Sequence, residues 1–432
     1  MLRNILLGAG VFAALFSILI FSGKLPIGQG EAKAKGEVAL WGTLPEQQMN
    51  KVVQEFNPKA GSYRVTYREI SEEQFSQTLL EALANGTAPD LIIAPHQIIL
   101  ANQSRLYPFP LASFSEKSYK DTYVDGAGIF FTSQGALALP VSVDPLVLFY
   151  NRSLFSKHGI VDPPTYWDEV ASRVPLLTLR DAKGGFVESA IALGAPNVSY
   201  IKDILMATVG ELGQSPVLTQ TRADGVPVIT VTANTPVVNL PDVLPLSTAV
   251  MFFTQFSDPA KSTYTWSQYA SKPDDAFVAE KLAMYIGYAS ELATLRARNP
   301  NGDFEMAYLP QTRGYNTFVT GGQMYGIATL KTTKNPLTSF TVEGQFAGSG
   351  VSPAIAAAIG ATPALRAYST TTGLSDVIAR SMLVVKPWYD IYPAQSTQLV
   401  ATMLLDVISG RLGPADAAGA FVSRLQDLYT PL

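Results

Sequence analysis

Leu139–Val170 reads LPVSVDPLVLFYNRSLFSKHGIVDPPTYWDEV, and this stretch decides the fold. It belongs to a β-rich segment, Ala136–Tyr150, that carries Pro140 and Pro145. Proline gives no N–H to a ladder, so the segment is too broken for one central strand and suits a crossing between two domains. Pro163 and Pro164 then stop the chain, Thr165 is placed to cap a helix, and Trp167 to pack it.

Upstream, the pattern repeats strand, helix, strand, helix, strand. Val38–Trp41 is a short apolar run, and Pro45 opens a helix whose Met49, Val52, Val53 and Phe56 share a face. Tyr63, Val65 and Tyr67 alternate with polar residues. Ser71 and Gln74 have capping-box spacing before Phe75, Leu79, Leu80 and Leu83, and Gly86 closes that helix. Asp90–Ala94 is a third strand. Uninterrupted apolar strands alternating with helices predict a parallel sheet covered on both faces. Ligands of such sheets bind beyond the strands' carboxyl ends, which singles out Trp41–Thr43 and Ala94–Gln97.

Downstream, Pro216–Pro245 is rich in Val, Thr, Pro and Gly and reads as a local hairpin. Helices are expected over Leu246–Phe256, Ala276–Leu282, Ser290–Arg298 and Thr397–Leu428, the last broken near Gly410–Gly413.

The chain of 432 residues is 47% apolar and 15% charged, which excludes a disordered or charge-laced coiled-coil protein. A net charge of −4 without a long basic run makes nucleic acid a poor partner. No cysteine is present, so disulfides, thiol nucleophiles and lipid-modified cysteine are excluded. With His96 and His158 as the two histidines, neither a metal nor another cofactor is expected.

Ile5–Ser22, ILLGAGVFAALFSILIFS, is uncharged, preceded by Arg3 and followed by Lys24. About 20 apolar residues span a bilayer core as a helix, so residues 1–24 read as a membrane anchor or signal segment. Ala32–Lys33–Ala34 offers a cleavage rule at a longer distance, and residues 25–36 suit a linker. Arg3 orients the rest of the chain outside the cytoplasm, as a single-pass protein of the cell membrane.

The Leu139–Val170 stretch resembles the extracellular solute-binding proteins of ABC importers, in the maltose-binding branch. The matching residues are Pro140, Tyr150, Asn151, Pro164, Thr165 and Trp167, with Tyr166 inserted. Asp258–Leu292 is similar through Ala276, Phe277, Lys281, Ala283 and Met284. FEMAYLPQ at Phe304–Gln311, followed by Gly321, Gly322 and Met324–Ile327, is a third match. PALRAY at Pro363–Tyr368 and KPWYDIYP at Lys386–Pro393 complete the series in family order.

The resemblance implies an α/β, two-lobed periplasmic-binding-protein-like fold with a hinge between lobes, preceded by an N-terminal transmembrane helix. Residues 37–142 plus about 272–318 are assigned to the first lobe, and 143–271 plus about 319–432 to the second. It implies a monomer that captures a small solute, such as a saccharide, by hinge closure and delivers it to ABC permease subunits. Pro45, Ala94 and Gln97 depart from that branch, which has acidic, Trp and Asp residues there, and this puts a maltodextrin in doubt.

Sugar sites pair aromatic faces with amide and carboxylate hydrogen-bonding groups. On that chemistry and the resemblance, the candidate ligand-binding residues are Trp41, Thr43, Gln97, Asp144, Asn197, Tyr264, Trp266, Tyr288, Gly322 and Trp388, with Tyr200 beside Asn197. Each also has an ordinary packing or turn role open to it. No P-loop, G-x-S-x-G or H-E-x-x-H motif occurs, so no catalytic residue is assigned. Asp144 with Glu291 would be a guess at a glycosidase pair. A surface-attached hydrolase and a sensor module on the binding fold stay open as alternatives, as do amino-acid, peptide and polyamine ligands.

Overall fold

The structure, a computed structural model, describes residues 34–110, 114–221, 227–237, 240–315 and 318–430. The expected membrane segment and most of the linker lie outside them. Among the described residues no helix is long and apolar enough to cross a membrane.

The described chain begins with β1 (Gly36–Gly42), α1 (Glu46–Phe56), β2 (Tyr63–Glu69), α2 (Glu72–Ala84) and β3 (Leu91–Pro95). It continues through β4 (Leu139–Asn151), α3 (Trp167–Leu177), β5 (Phe186–Ile191) and α4 (Ile201–Glu211). The hairpin β6 (Val217–Thr221) and β7 (Pro227–Val231) precedes α5 (Pro245–Thr254), β8 (Leu282–Tyr288), α6 (Glu291–Arg298) and β9 (Phe304–Ala307). Last come β10 (Gly322–Leu330), α7 (Pro336–Ala347), α8 (Pro393–Ile408) and α9 (Pro414–Tyr429).

Two compact units result. The first combines the described residues up to Asp144 with Gln323–Leu374, and the second combines Pro145–Gly322 with those from Ser375 onward.

In the first unit β1 pairs in parallel with β2 on one side and β3 on the other, and β10 runs antiparallel to β3 with Tyr325 opposite Pro95. The expected parallel sheet is therefore present. Alternation buries Tyr63, Val65 and Tyr67 on one face of β2. In α1 the periodic positions Met49, Val52, Val53 and Phe56 are all buried. Phe56 meets Phe346 of α7 edge to face at 4.9 Å. Each such buried ring contributes about 1.5–3 kcal/mol.

Two local details differ from expectation. Ser71 precedes α2 without a side-chain cap bond, and Leu80 is exposed while Ala82 is buried, so this helix turns a slightly different face inward. Likewise Thr165 caps nothing, because α3 starts at Trp167; its backbone N–H instead donates to Glu169 Oε2 at 2.9 Å.

The second unit is built on β4, β5, β8 and β9. β8 pairs in parallel with β5, while β8 and β9 both run antiparallel to β4. Phe149, Phe277, Tyr285 and Phe304 are buried together under this sheet. The hairpin β6–β7 forms as expected and is fastened by Gln426 of α9, which bonds both the Val231 N–H and the Ile229 carbonyl. α8 and α9 are the two parts of the helical stretch expected near the carboxyl end, separated around Gly410–Gly413 as the sequence indicates. Pro273–Val278 is helical, but Leu282 already belongs to β8.

Contrary to the sequence reading, β4 is one continuous strand of 13 residues despite its two prolines. Its first half pairs with Thr362 and Pro363, and its second half with β8. Pro145 lies between these two ladders, so its missing N–H interrupts neither. The chain does cross between units here, the boundary falling between Asp144 and Pro145.

The expected partition of the later chain is corrected. Residues 272–318 belong to the second unit, because β8 and β9 pair with β4 beyond Pro145. Residues 323–374 belong to the first, because β10 pairs with β3 and α7 packs on β1.

Candidate functional site

In the second unit the carboxyl end of β8 delivers Tyr288, and the first turn of α4 delivers Lys202 and Asp203. The Tyr288 hydroxyl donates to Asp203 Oδ2 at 3.1 Å, and the Trp388 indole N–H donates to Asp203 Oδ1 at 3.3 Å. One carboxylate thus joins two aromatic residues that the sequence reading selected independently. Tyr200, at left-handed φ 56° just before α4, sets its ring 4.5 Å from that of Tyr288 at a 54° tilt.

Behind these rings, Glu291 accepts the Tyr288 N–H at 2.8 Å and the Tyr285 hydroxyl at 2.8 Å. Burial pushes the Asp203 carboxyl upward, against the opposing pull of Lys202 and the Tyr288 hydroxyl. Burial likewise raises Glu291, against the Tyr285 hydroxyl. Both acids therefore favour partners that donate hydrogen bonds. Gly321 packs against the same turn: a Cβ there would stand 3.1 Å from the Asp203 carbonyl oxygen and 2.9 Å from Leu146 Cδ1. Gly322 follows as the buried first residue of β10.

Asn197, Trp266 and Tyr264 do not join this group. Trp266 is a core residue whose indole N–H donates to Asn197 Oδ1 at 3.2 Å, while Asn197 Nδ2 donates to the carbonyls of Ser267 and Ala270. Tyr264 meets Phe186 edge to face and lies beneath Arg180, 4.7 Å from its guanidinium carbon. Phe186 begins β5, and the parallel register matches Ile191 with Met284, so Phe186 and Tyr288 mark opposite ends of the sheet.

The first unit has its own group beyond the strand ends. Trp41, the next-to-last residue of β1, has the Arg68 guanidinium carbon 4.8 Å over its ring. The Thr43 hydroxyl donates to the Tyr325 hydroxyl at 3.3 Å, which donates to Glu72 Oε1 at 3.2 Å. Burial raises the Glu72 carboxyl. Gln97 follows β3, its Oε1 buried without a hydrogen-bond partner among the described residues. Asp144 is buried where the chain's first pass through the unit ends, and its charge adds a little to the burial that raises the nearby Tyr325 hydroxyl. Gly42 allows the close approach of β1 to β3, since a Cβ there would fall 2.5 Å from Ile93 Cγ2.

Asp203, Lys202, Tyr325 and Glu72 escaped the sequence reading. Lys202 and Asp203 did leave a trace, as two adjacent opposite charges opening a helix that then runs apolar from Ile204 to Ala207. Among the described residues no group of three or more His, Asp or Glu could hold a metal ion. The arrangement is one of aromatic rings with hydrogen-bonding carboxylates, suited to holding a polar small molecule.

The family model described as bacterial extracellular solute-binding protein matches residues 42–337. A provisionally labelled binding protein of Brucella abortus (strain 2308) is 23% identical over 167 residues, and the match spans 38% of each chain. Among solved structures, the sugar-binding protein MalE of Xanthomonas citri superposes with a TM-score of 0.73 at 16% identity, covering 91% of this chain and 97% of that one. An ABC substrate-binding protein of Listeria monocytogenes in complex with cycloalternan gives 0.68 at 16% identity, covering 91% and 99%. The GacH receptor of Streptomyces glaucescens, solved unliganded and with acarbose, gives 0.68 at 15%, covering 92% and 99%. At these identities the structural likeness establishes the fold.

Proposed function

Because this chain belongs to the bacterial extracellular solute-binding proteins, we propose that it captures a small saccharide and delivers it to an ABC importer. The observation that carries the saccharide is the convergence of Tyr288 and Trp388 on the Asp203 carboxylate, with Tyr200 alongside. Aromatic faces cover the apolar faces of a sugar ring, and carboxylate oxygens accept from its hydroxyls. The first unit's own candidates for solute contact are Trp41, Thr43, Gln97 and Asp144. Binding proceeds by hinge closure, which needs a solute that prefers the closed state. The protein binds without turnover and works as a monomer. Residues 5–22 hold it to the membrane, with the described region outside the cell.

Thermal-shift screening of the purified protein against saccharides, amino acids, peptides and polyamines tests this reading, with each hit recovered and analysed. A ligand present at 100 times its Kd stabilises by about 2.7 kcal/mol, which raises Tm by several degrees. We expect a saturable rise with a saccharide that is recovered intact. Stabilisation by another solute class alone would replace the saccharide, and shortened oligosaccharide would make the protein a hydrolase.

A further inference from the structure

We propose that Lys202 is the positioning residue for Trp388, fixing the ring's place in the solute-binding wall from inside the protein. The proposal rests on the reading of Tyr288, Asp203 and Trp388 as that wall. Lys202 is only 9% exposed, and all three donors of its ammonium find acceptors. These are Asp390 Oδ2 at 2.8 Å, Ser396 Oγ at 3.2 Å and the Pro393 carbonyl at 3.3 Å. The same Nζ stands 5.5 Å from the centroid of the Trp388 ring.

Asp390 has no exposed surface; besides Lys202 it accepts the Ser396 hydroxyl at 2.7 Å and the Tyr392 N–H at 3.1 Å. Residues 390–396 are thereby knotted onto the first turn of α4. Asp203, the next residue of that turn, holds the Trp388 N–H at 3.3 Å. Two consecutive residues of opposite charge therefore grip one segment, Lys202 through Asp390 and Pro393, and Asp203 through the edge of the Trp388 ring. With the indole N–H directed to Asp203 and the ammonium beside the ring, Trp388 is left to act by its ring rather than as a hydrogen-bond donor to solute.

A buried ammonium also neutralises Asp390, and a purely structural role would stop there. The two roles separate in the full-length protein by comparing K202M with K202M/D390N. The fluorescence of Trp388 is isolated in each as the difference from the matching W388F background. We expect K202M to lower Tm, shift the Trp388 emission to the red and increase its quenching by acrylamide at least twofold. The double variant, which leaves no stranded charge, regains Tm but not the native Trp388 signature. Native emission and quenching in K202M, or their recovery together with Tm in the double variant, would overturn the positioning role.

Maltotetraose serves as the solute probe in the same variants. Where the wild type binds it, at least a tenfold loss in K202M/D390N is the expected result, and equal binding by both would overturn the proposal. If the wild type does not bind this probe, the Trp388 signature alone decides the role of Lys202.

Discussion

The indole N–H of Trp388 donates to the Asp203 carboxylate across 185 positions of sequence, at 3.3 Å. The other oxygen of that carboxylate takes the hydroxyl of Tyr288, from a third segment of the chain. The rings are therefore held by a half-buried acid whose desolvation raises its pKa, so the same acid that joins these two rings opposes folding when ionised.

Replacing Asp203 should separate these two effects. Asp203→Asn removes the charge and keeps one acceptor oxygen, so stability at pH 7.5 should hold or rise, while affinity for the solute falls about tenfold, the order expected for losing a charge-assisted hydrogen bond. Asp203→Ala frees both rings and should weaken binding further. Isothermal titration with the saccharide found by screening measures both; wild-type affinity in both variants would remove Asp203 from the site.

The first half of the fold was legible because period-two strands and period-3.6 helices are local patterns, and they located β1, α1, β2 and β3. Tyr288 and Trp388 were picked out as candidates by their motifs, and the structure brings both to Asp203. Asp203 was not, since its role exists only once residues 85 and 185 positions away arrive beside it. The lobe boundaries failed for a similar reason. Whether 282–288 or 322–330 joins a given sheet is set by pairing partners, and both segments read as equally apolar strands. Pro145 misled because a proline that falls where a strand exchanges partners costs no ladder bond.

Gly42→Ala should destabilise the first unit. An added methyl would lie 2.5 Å from Ile93 Cγ2 and 2.6 Å from the Ile93 carbonyl oxygen, so β1 and β3 must part. Overpacking of this kind costs about 1–3 kcal/mol. Denaturant unfolding should show the loss; a midpoint equal to wild type would mean the strands yield freely at this point.

Trp41→Ala tests the first unit's candidate residues. The ring packs with Arg68 and is mostly buried, so its removal should cost stability as well as affinity. Thr43→Val provides the cleaner comparison, since it removes only the hydroxyl that donates to Tyr325. We expect Trp41→Ala to weaken solute binding at least tenfold, and Thr43→Val to weaken it less. Unchanged affinity in Trp41→Ala and Trp388→Ala would exclude both tryptophans from solute contact.

Glu211 gives the second unit a pH dependence of known sign. Its buried carboxyl accepts the Trp167 indole N–H and both the N–H and hydroxyl of Thr312, yet burial outweighs these donors and pushes its pKa up to about 7. The unfolded chain releases this proton near pH 4.5, so between there and pH 7 the folded state holds more protons and stability falls as pH rises. Below pH 4.5 the contribution is complete, and above pH 7 it is lost. Its full range is on the order of 3 kcal/mol. Glu211→Gln cannot titrate, so its unfolding free energy, measured by denaturant from pH 4.5 to 8, should decline less steeply than that of wild type. Parallel curves for the two proteins would show that Glu211 is ionised in the folded state throughout, with Thr312 and Trp167 outweighing its burial.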